Sequence, residues 1–490
     1  MKKIILMLLI SASLYGQKHD NIWPMGYKYD SCNYYIDFTD SFEIVPYCLG
    51  LDLFQMGNSA ISDSTGKLLF YTNGNRIADS SHQIMLNGTG LNNTNYSSYA
   101  TDGYPAKTLI LPKPNSSNLY YIFHQEFPTN SNGQISYGNA MWLNYSLVDM
   151  TGNGGLGEVV LKNVPLINDT IAGSGLFLNA NKHADGVDWW ILVPGCCSMN
   201  KYYRFLLTED SILGPYSQEV PLPNLIGWGG QSVFSPDGSL YARYGSFESA
   251  YIYDFNRCTG ELSFKQEINP PIRSNVPCVA ISPNSRYLYL ANDTIAFQYD
   301  LAAADINASR ITVAVYNGFI SPFPVGFWQM QLAPNGKIYG VSSSGTDQLH
   351  VIENPDYAGL ACNFRQHAII TPRYNGISLP NFPHFRTPAL APGACDTTGV
   401  LAVAAPVENI KIYPNPANDV LNLEWDSPLE TTHTIQVLDL NGRLLQQKET
   451  SIGNSLLQLN TTNIPVGFYI LRISDNVGNI ITNKKILILR

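Results

Sequence analysis

Phe234-Ser235-Pro236-Asp237-Gly238-Ser239-Leu240-Tyr241 returns in altered letters as Ile281-Ser282-Pro283-Asn284-Ser285-Arg286-Tyr287-Leu288 and as Leu332-Ala333-Pro334-Asn335-Gly336-Lys337-Ile338-Tyr339. Each copy ends an apolar strand, turns, and starts a strand rich in Tyr and Leu. Pro fixes φ, Asp or Asn caps the turn backbone, and Gly accepts left-handed geometry, so two antiparallel strands join without strain. The prolines recur about every 50 residues, the usual length of one propeller blade. Looser copies precede them: Ile61-Ser62-Asp63-Ser64-Thr65-Gly66-Lys67-Leu68, Leu111-Pro112-Lys113-Pro114-Asn115, and Asn181-Lys182-His183-Ala184-Asp185-Gly186 before Trp189-Trp190. One such sheet cannot cover both of its own faces, whereas several packed around an axis can. The count of starts predicts an all-β, about seven-bladed β-propeller. Residues 379–385 (Leu379-Pro380-Asn381-Phe382-Pro383-His384-Phe385) are expected to be the innermost strand of a last blade, completed by N-terminal strands such as 33–38.

The chain has 490 residues, too many for one ordinary core, so at least two domains are expected. A net charge of −9 leaves no basic stripe for a phosphate backbone, which sets nucleic acid aside. Lys2-Lys3, the apolar run at 4–10 and the small-residue close at 11–16 read as a signal peptide over 1–16. No later window has the length of apolar sequence needed to cross a bilayer, so no transmembrane segment is expected after its removal. In an exported chain the eight cysteines read as disulfide candidates, and no Cys-x-x-Cys pair supports zinc. Cys32 with Cys48 and Cys258 with Cys278 are the nearest separated pairs and are favoured.

The last stretch reads as a separate small β domain over 407–490, after a small-residue linker at 397–406 and a propeller over 17–396. Ile410-Lys411-Ile412-Tyr413-Pro414-Asn415-Pro416 bends between strands, and Leu421, Leu423 and Trp425 alternate with polar residues. Asn441-Gly442 supplies a tight hairpin, and Gly467-Phe468-Tyr469 and Lys484-Lys485 open two closing strands. This arrangement resembles the type A C-terminal sorting domain of the type IX secretion system of Bacteroidetes. The resemblance implies an Ig-like β-sandwich whose sorting signal includes Pro414, Asn415, Pro416, Asn441, Gly442, Gly467, Tyr469, Lys484 and Lys485. It also implies the secretion machinery as partner, passage across the outer membrane, and a secreted or surface-bound product released by a cut in the linker. The middle of the chain, including Tyr71-Thr72-Asn73-Gly74 and Asp254-Phe255-Asn256-Arg257-Cys258, is similar to propeller regions of Bacteroidetes surface proteins, a group defined by blades and not by one ligand.

Local chemistry is sparse. His183, Asp185 and Asp188 form the best cluster, but a strand-end histidine bonded to a turn explains it better than a metal. His384 and Trp328 are candidates for the channel, with packing the commoner role for both. His124 and Glu126 share a strand face without a third partner. No Gly-x-Ser-x-Gly elbow or phosphate loop is present. No catalytic, metal or cofactor residue is therefore assigned. The leading expectation is a binding or adhesion module for an extracellular glycan or protein. The alternatives are a propeller enzyme acting on extracellular glycans or lactones, and a structural part of the envelope or motility apparatus.

Overall fold

The computed structural model describes residues 17–27, 32–53, 57–92, 107–126, 139–172, 177–195, 200–220, 230–273, 276–391, 393–395, 410–439, 443–476 and 480–489. The expected signal peptide, the linker and the Asn441-Gly442 turn lie outside them. Antiparallel sheets follow one another along residues 22–375. Their first strands are Ile22–Met25, Ser59–Ser62, Thr108–Pro112, Asn179–Lys182, Gly230–Phe234, Cys278–Ile281 and Met330–Leu332, and each begins a blade that runs outward in chain order. Blade 1 has three strands and blades 4 to 7 have four each. Blades 2 and 3 are halves of one eight-stranded sheet, joined where Leu86 and Glu158 pair in parallel.

First strands of neighbouring blades touch, as in the pairs 1–2, 2–3, 4–5, 5–6 and 6–7. Blade 7 closes on blade 1, where Tyr339 meets the rings of Trp23, Phe38 and Phe42. The molecule is thus a seven-bladed propeller. Its wedges between blades are filled by large fully buried side chains, among them Trp23, Trp189, Tyr241, Tyr253 and Tyr289.

The repeated turns join first to second strands, as their residues dictate. Asp237 Oδ1 accepts from Ser239 N at 2.9 Å and Gly238 has φ 76°. Asn284 Oδ1 accepts from Arg286 N at 3.0 Å, with Ser285 in the left-handed place at φ 59°. Asp63 Oδ1 takes the amides of Thr65 and Lys67.

Residues 376–387 depart from expectation. They form no strand and complete no blade, and the N-terminal strands make a blade of their own. The segment runs instead among the innermost strands. Leu379 N donates to Gln329 Oε1 at 3.0 Å, and Asn381 N donates to Asn58 O at 3.0 Å. The Asn381 carboxamide reaches the carbonyls of Thr108 (2.8 Å) and Leu178 (3.2 Å), while Ser59 Oγ donates to Asn381 O. One residue therefore ties blades 2, 3 and 4. Prolines at 380 and 383 explain the absence of a ladder, because each removes a donor that a central strand needs.

Beyond it, Arg386 forks onto Asp20 at 2.7 and 2.8 Å, and Arg257 donates to Pro388 O at 2.7 Å. Cys258 is bonded to Cys395, which corrects the expected Cys258–Cys278 pair. Cys278 is a free buried thiol on the innermost strand of blade 6, donating to Ala291 O, whereas Cys258 sits on the turn between the outer strands of blade 5. Twenty residues of a meander separate an outer turn from an axial strand, so nearness in sequence misleads here. The Cys32–Cys48 pair is present as expected.

Residues 410–489 fold as two sheets, one of three strands and one of four, around a core that includes Leu421, Leu423, Trp425, Ile435, Leu471 and Ile486. This is the β-sandwich expected of the tail.

Candidate functional site

Propellers usually place recognition at the axis, where first strands converge. Here the axis is occupied by the chain itself. Phe382 packs against Trp23, and Phe385 against His19 and Trp189, at ring separations of 5.2–6.0 Å. His384 does lie at the axis, but it is half-buried and its Nε2 bonds Phe234 O at 3.0 Å. Burial lowers its pKa, so the ring is a neutral structural donor. Trp328 is also consumed internally, donating Nε1–H to Ile377 O at 2.7 Å. A void of about 20 Å³ remains beside Asn381, His384 and Lys107, room for one water and not for a ligand. Burial brings the Lys107 ammonium down to about 7.

His183, Asp185 and Asp188 do converge, with their ligand atoms all within 4.8 Å. The turn accounts for most of that geometry. Asp185 Oδ1 accepts the amides of Val187 (2.7 Å) and Asp188 (3.0 Å), and Oδ2 lies 2.9 Å from His183 Nδ1. These bonds hold the Asp185 carboxyl below its ordinary range despite partial burial. His124 is fully buried between Asn92 Oδ1 (3.0 Å) and Ser146 Oγ (3.3 Å), and Glu126 accepts from Asn144 Nδ2, so the two do not act as a pair.

In the terminal sandwich the motif residues meet. Asn415 Nδ2 donates to Lys485 O at 3.0 Å and Leu487 N donates to Asn415 Oδ1 at 2.8 Å, which fastens the Tyr-Pro-Asn-Pro bend to the last strand. Tyr469 faces Ile486 across the ladder and donates its hydroxyl to Pro465 O. Lys485 Nζ stands 4.1 Å over the Phe468 ring. Pro414, Asn415, Gly467, Tyr469, Lys484 and Lys485 are therefore gathered around one terminal strand, Ile480–Ile488.

Strand order and core define a propeller followed by a sandwich. Residues 411–489 match the family model described as the secretion system C-terminal sorting domain. The tail is thus a type IX sorting domain, which directs the protein to the cell surface or extracellular space. No helix among the described residues is long and apolar enough to cross a membrane. No match is found among curated proteins. Similar solved structures include a Desulfotomaculum acetoxidans protein of unknown function (13% identity, TM-score 0.41, 74% of this chain and 99% of that one). Another is a protein provisionally titled a 6-phosphogluconolactonase from Bacteroides uniformis (12%, 0.37, 73% and 99%). A third is a periplasmic gluconolactonase from Pseudomonas aeruginosa (12%, 0.34, 74% and 99%). Likenesses of this degree say nothing about activity.

Sequence reasoning missed one hollow away from the axis, between blades 1 and 2. It holds about 290 Å³ and is lined by Leu49, Asp52, Arg76, His82, Gln83 and Ile84, with Asn73 at its edge. The available signal was Leu49-Gly50 directly after a paired cysteine, where a fixed loop meets a backbone bend.

Proposed function

We propose that this chain is a surface-displayed or released binding module, exported by the type IX system, that engages an extracellular glycan or protein through its blade faces and rim. The observation that carries this reading is the occupied axis: residues 376–387 take up the position where a propeller ligand or reacting group would sit. In this reading residues 1–16 are removed on export, 17–396 form the propeller, and 407–490 are the sorting domain. The Cys258–Cys395 bond just ahead of residues 397–406 supports a cut in that linker, since the axial segment stays fastened after the tail is lost. The gathering of Pro414, Asn415, Gly467, Tyr469, Lys484 and Lys485 around the last strand is read as the surface shown to the secretion machinery.

The test has two arms. Deleting 411–489 should leave the protein inside the outer membrane, while the intact chain labels on the cell surface or appears in the medium. The exported product, applied to an array of extracellular glycans and matrix proteins, should bind members reproducibly without consuming them. Turnover of a bound member would contradict the reading.

A further inference from the structure

The hollow between blades 1 and 2 is built with unusual backbone. The Cys32–Cys48 bond anchors the end of the third strand of blade 1, and the chain then passes through Leu49 at φ 121° and Gly50 at φ 95°. A Cβ at Gly50 would stand 2.3 Å from the Tyr71 hydroxyl, so only glycine permits this approach. The bend leaves Leu49 63% exposed, an apolar side chain held in solvent by a strained conformation. The opposite wall is also set by a left-handed residue, His82 at φ 63°, whose ring stacks on Tyr47 at 3.8 Å and bonds the Tyr71 hydroxyl. Asn73 bridges the two walls: its Nδ2 donates to Asp52 O at 3.1 Å and its Oδ1 accepts from Arg76 N at 3.0 Å.

Three chemistries face this space. Leu49 and Ile84, the latter 42% exposed, offer an apolar surface. Gln83 offers hydrogen bonds to hydroxyls. The Arg76 guanidinium is half-buried and enters no ion pair among the described residues. Its fork matches a carboxylate or sulfate. The volume lies at the low end for ligand pockets, roughly 300–1,000 Å³, and suits one ring and not a long occupant.

Resting on the binding reading above, we propose that this hollow binds an anionic sugar unit of an extracellular polysaccharide, its ring between Leu49 and Ile84 and its acidic group on Arg76. The test is calorimetric titration of the full chain with three trisaccharides of equal length: a hexuronate, a sulfated neutral sugar and an uncharged one. At least one charged ligand binds, about tenfold or more tighter than the uncharged one. Arg76→Gln removes that preference. Ile84→Asp, at a position 42% exposed, removes one wall of the ring site and adds a second carboxylate to that of Asp52, and it weakens the charged ligands more than the uncharged one. Equal affinity for charged and uncharged sugars overturns the proposal, and so does unchanged affinity in Ile84→Asp. If none of the three binds while the glycan and protein array shows other ligands, this site is wrong and the binding reading stands.

Discussion

His124 and His350 are held neutral inside the propeller by their partners. His350 Nε2–H donates to Gly326 O at 3.0 Å while its Nδ1 accepts from His367 N at 3.1 Å, so a second proton would cost an acceptor. His124 is placed likewise, giving Nδ1–H to Asn92 Oδ1 and accepting from Ser146. Burial, the dominant cause in both, pushes His350 to about 4 and His124 to about 3. The unfolded chain protonates each near the ordinary 6.5. Their contribution is therefore complete above that value and is lost as pH falls through it towards 4. The slope is at most about 1.4 kcal/mol per pH unit for each histidine. Urea unfolding at pH 7.5, 6 and 5 should show stability declining with acid, and His350→Asn should flatten the decline. A flat wild-type profile would contradict this placement. Neither role was legible beforehand: the sequence shows that His124 and Glu126 share a face, but Asn92 arrives from the bend after strand Ile84–Thr89 and Ser146 from the neighbouring strand Asn139–Asp149.

The blade hairpin is the element most readable from sequence, because its causes are local. Pro, Asp or Asn, and Gly fix a turn within six residues whatever packs above it. Blade starts at Ser59, Thr108, Asn179, Gly230, Cys278 and Met330 accordingly fall beside the motifs that announce them. The sorting sandwich was readable for the same reason, with alternation at 421–425 and a bend at 414–416. The axial segment was not. Its apolar and proline residues resemble an inner strand, and only the carbonyls of Asn58, Thr108 and Leu178, far away in sequence, show where Asn381 belongs. The partner of Cys258 was lost with it, since that pairing depends on where the segment leaves the axis. Peptide mapping without reduction should find Cys258 joined to Cys395. Replacing both by Ser should lower stability by about 2–4 kcal/mol in chemical denaturation, since a long loop is no longer closed. A Cys258–Cys278 peptide, or no change in stability, would contradict the account.

At the scale of the molecule, two cores are made separately and then touch. The sandwich keeps its own interior, yet Leu438 and Ile470 join the apolar cluster of the propeller, and Arg472 donates to Pro165 O. A propeller must also close its ring. Ring contacts of Tyr339 with blade 1 do part of this, and the axial segment does the rest by bonding blades 2, 3, 4, 5 and 7 from within. Under the proposed binding function, a ring held from its axis leaves recognition to sites away from it, such as the Leu49–Arg76 hollow. Hydrogen exchange of the folded protein, read on peptides covering 376–387, tests this most directly. The amides of Gly376, Leu379 and Asn381, each bonded inside the ring, should exchange as slowly as those of the first strands. Exchange as fast as that of exposed loops would show the axis to be open and would contradict the account.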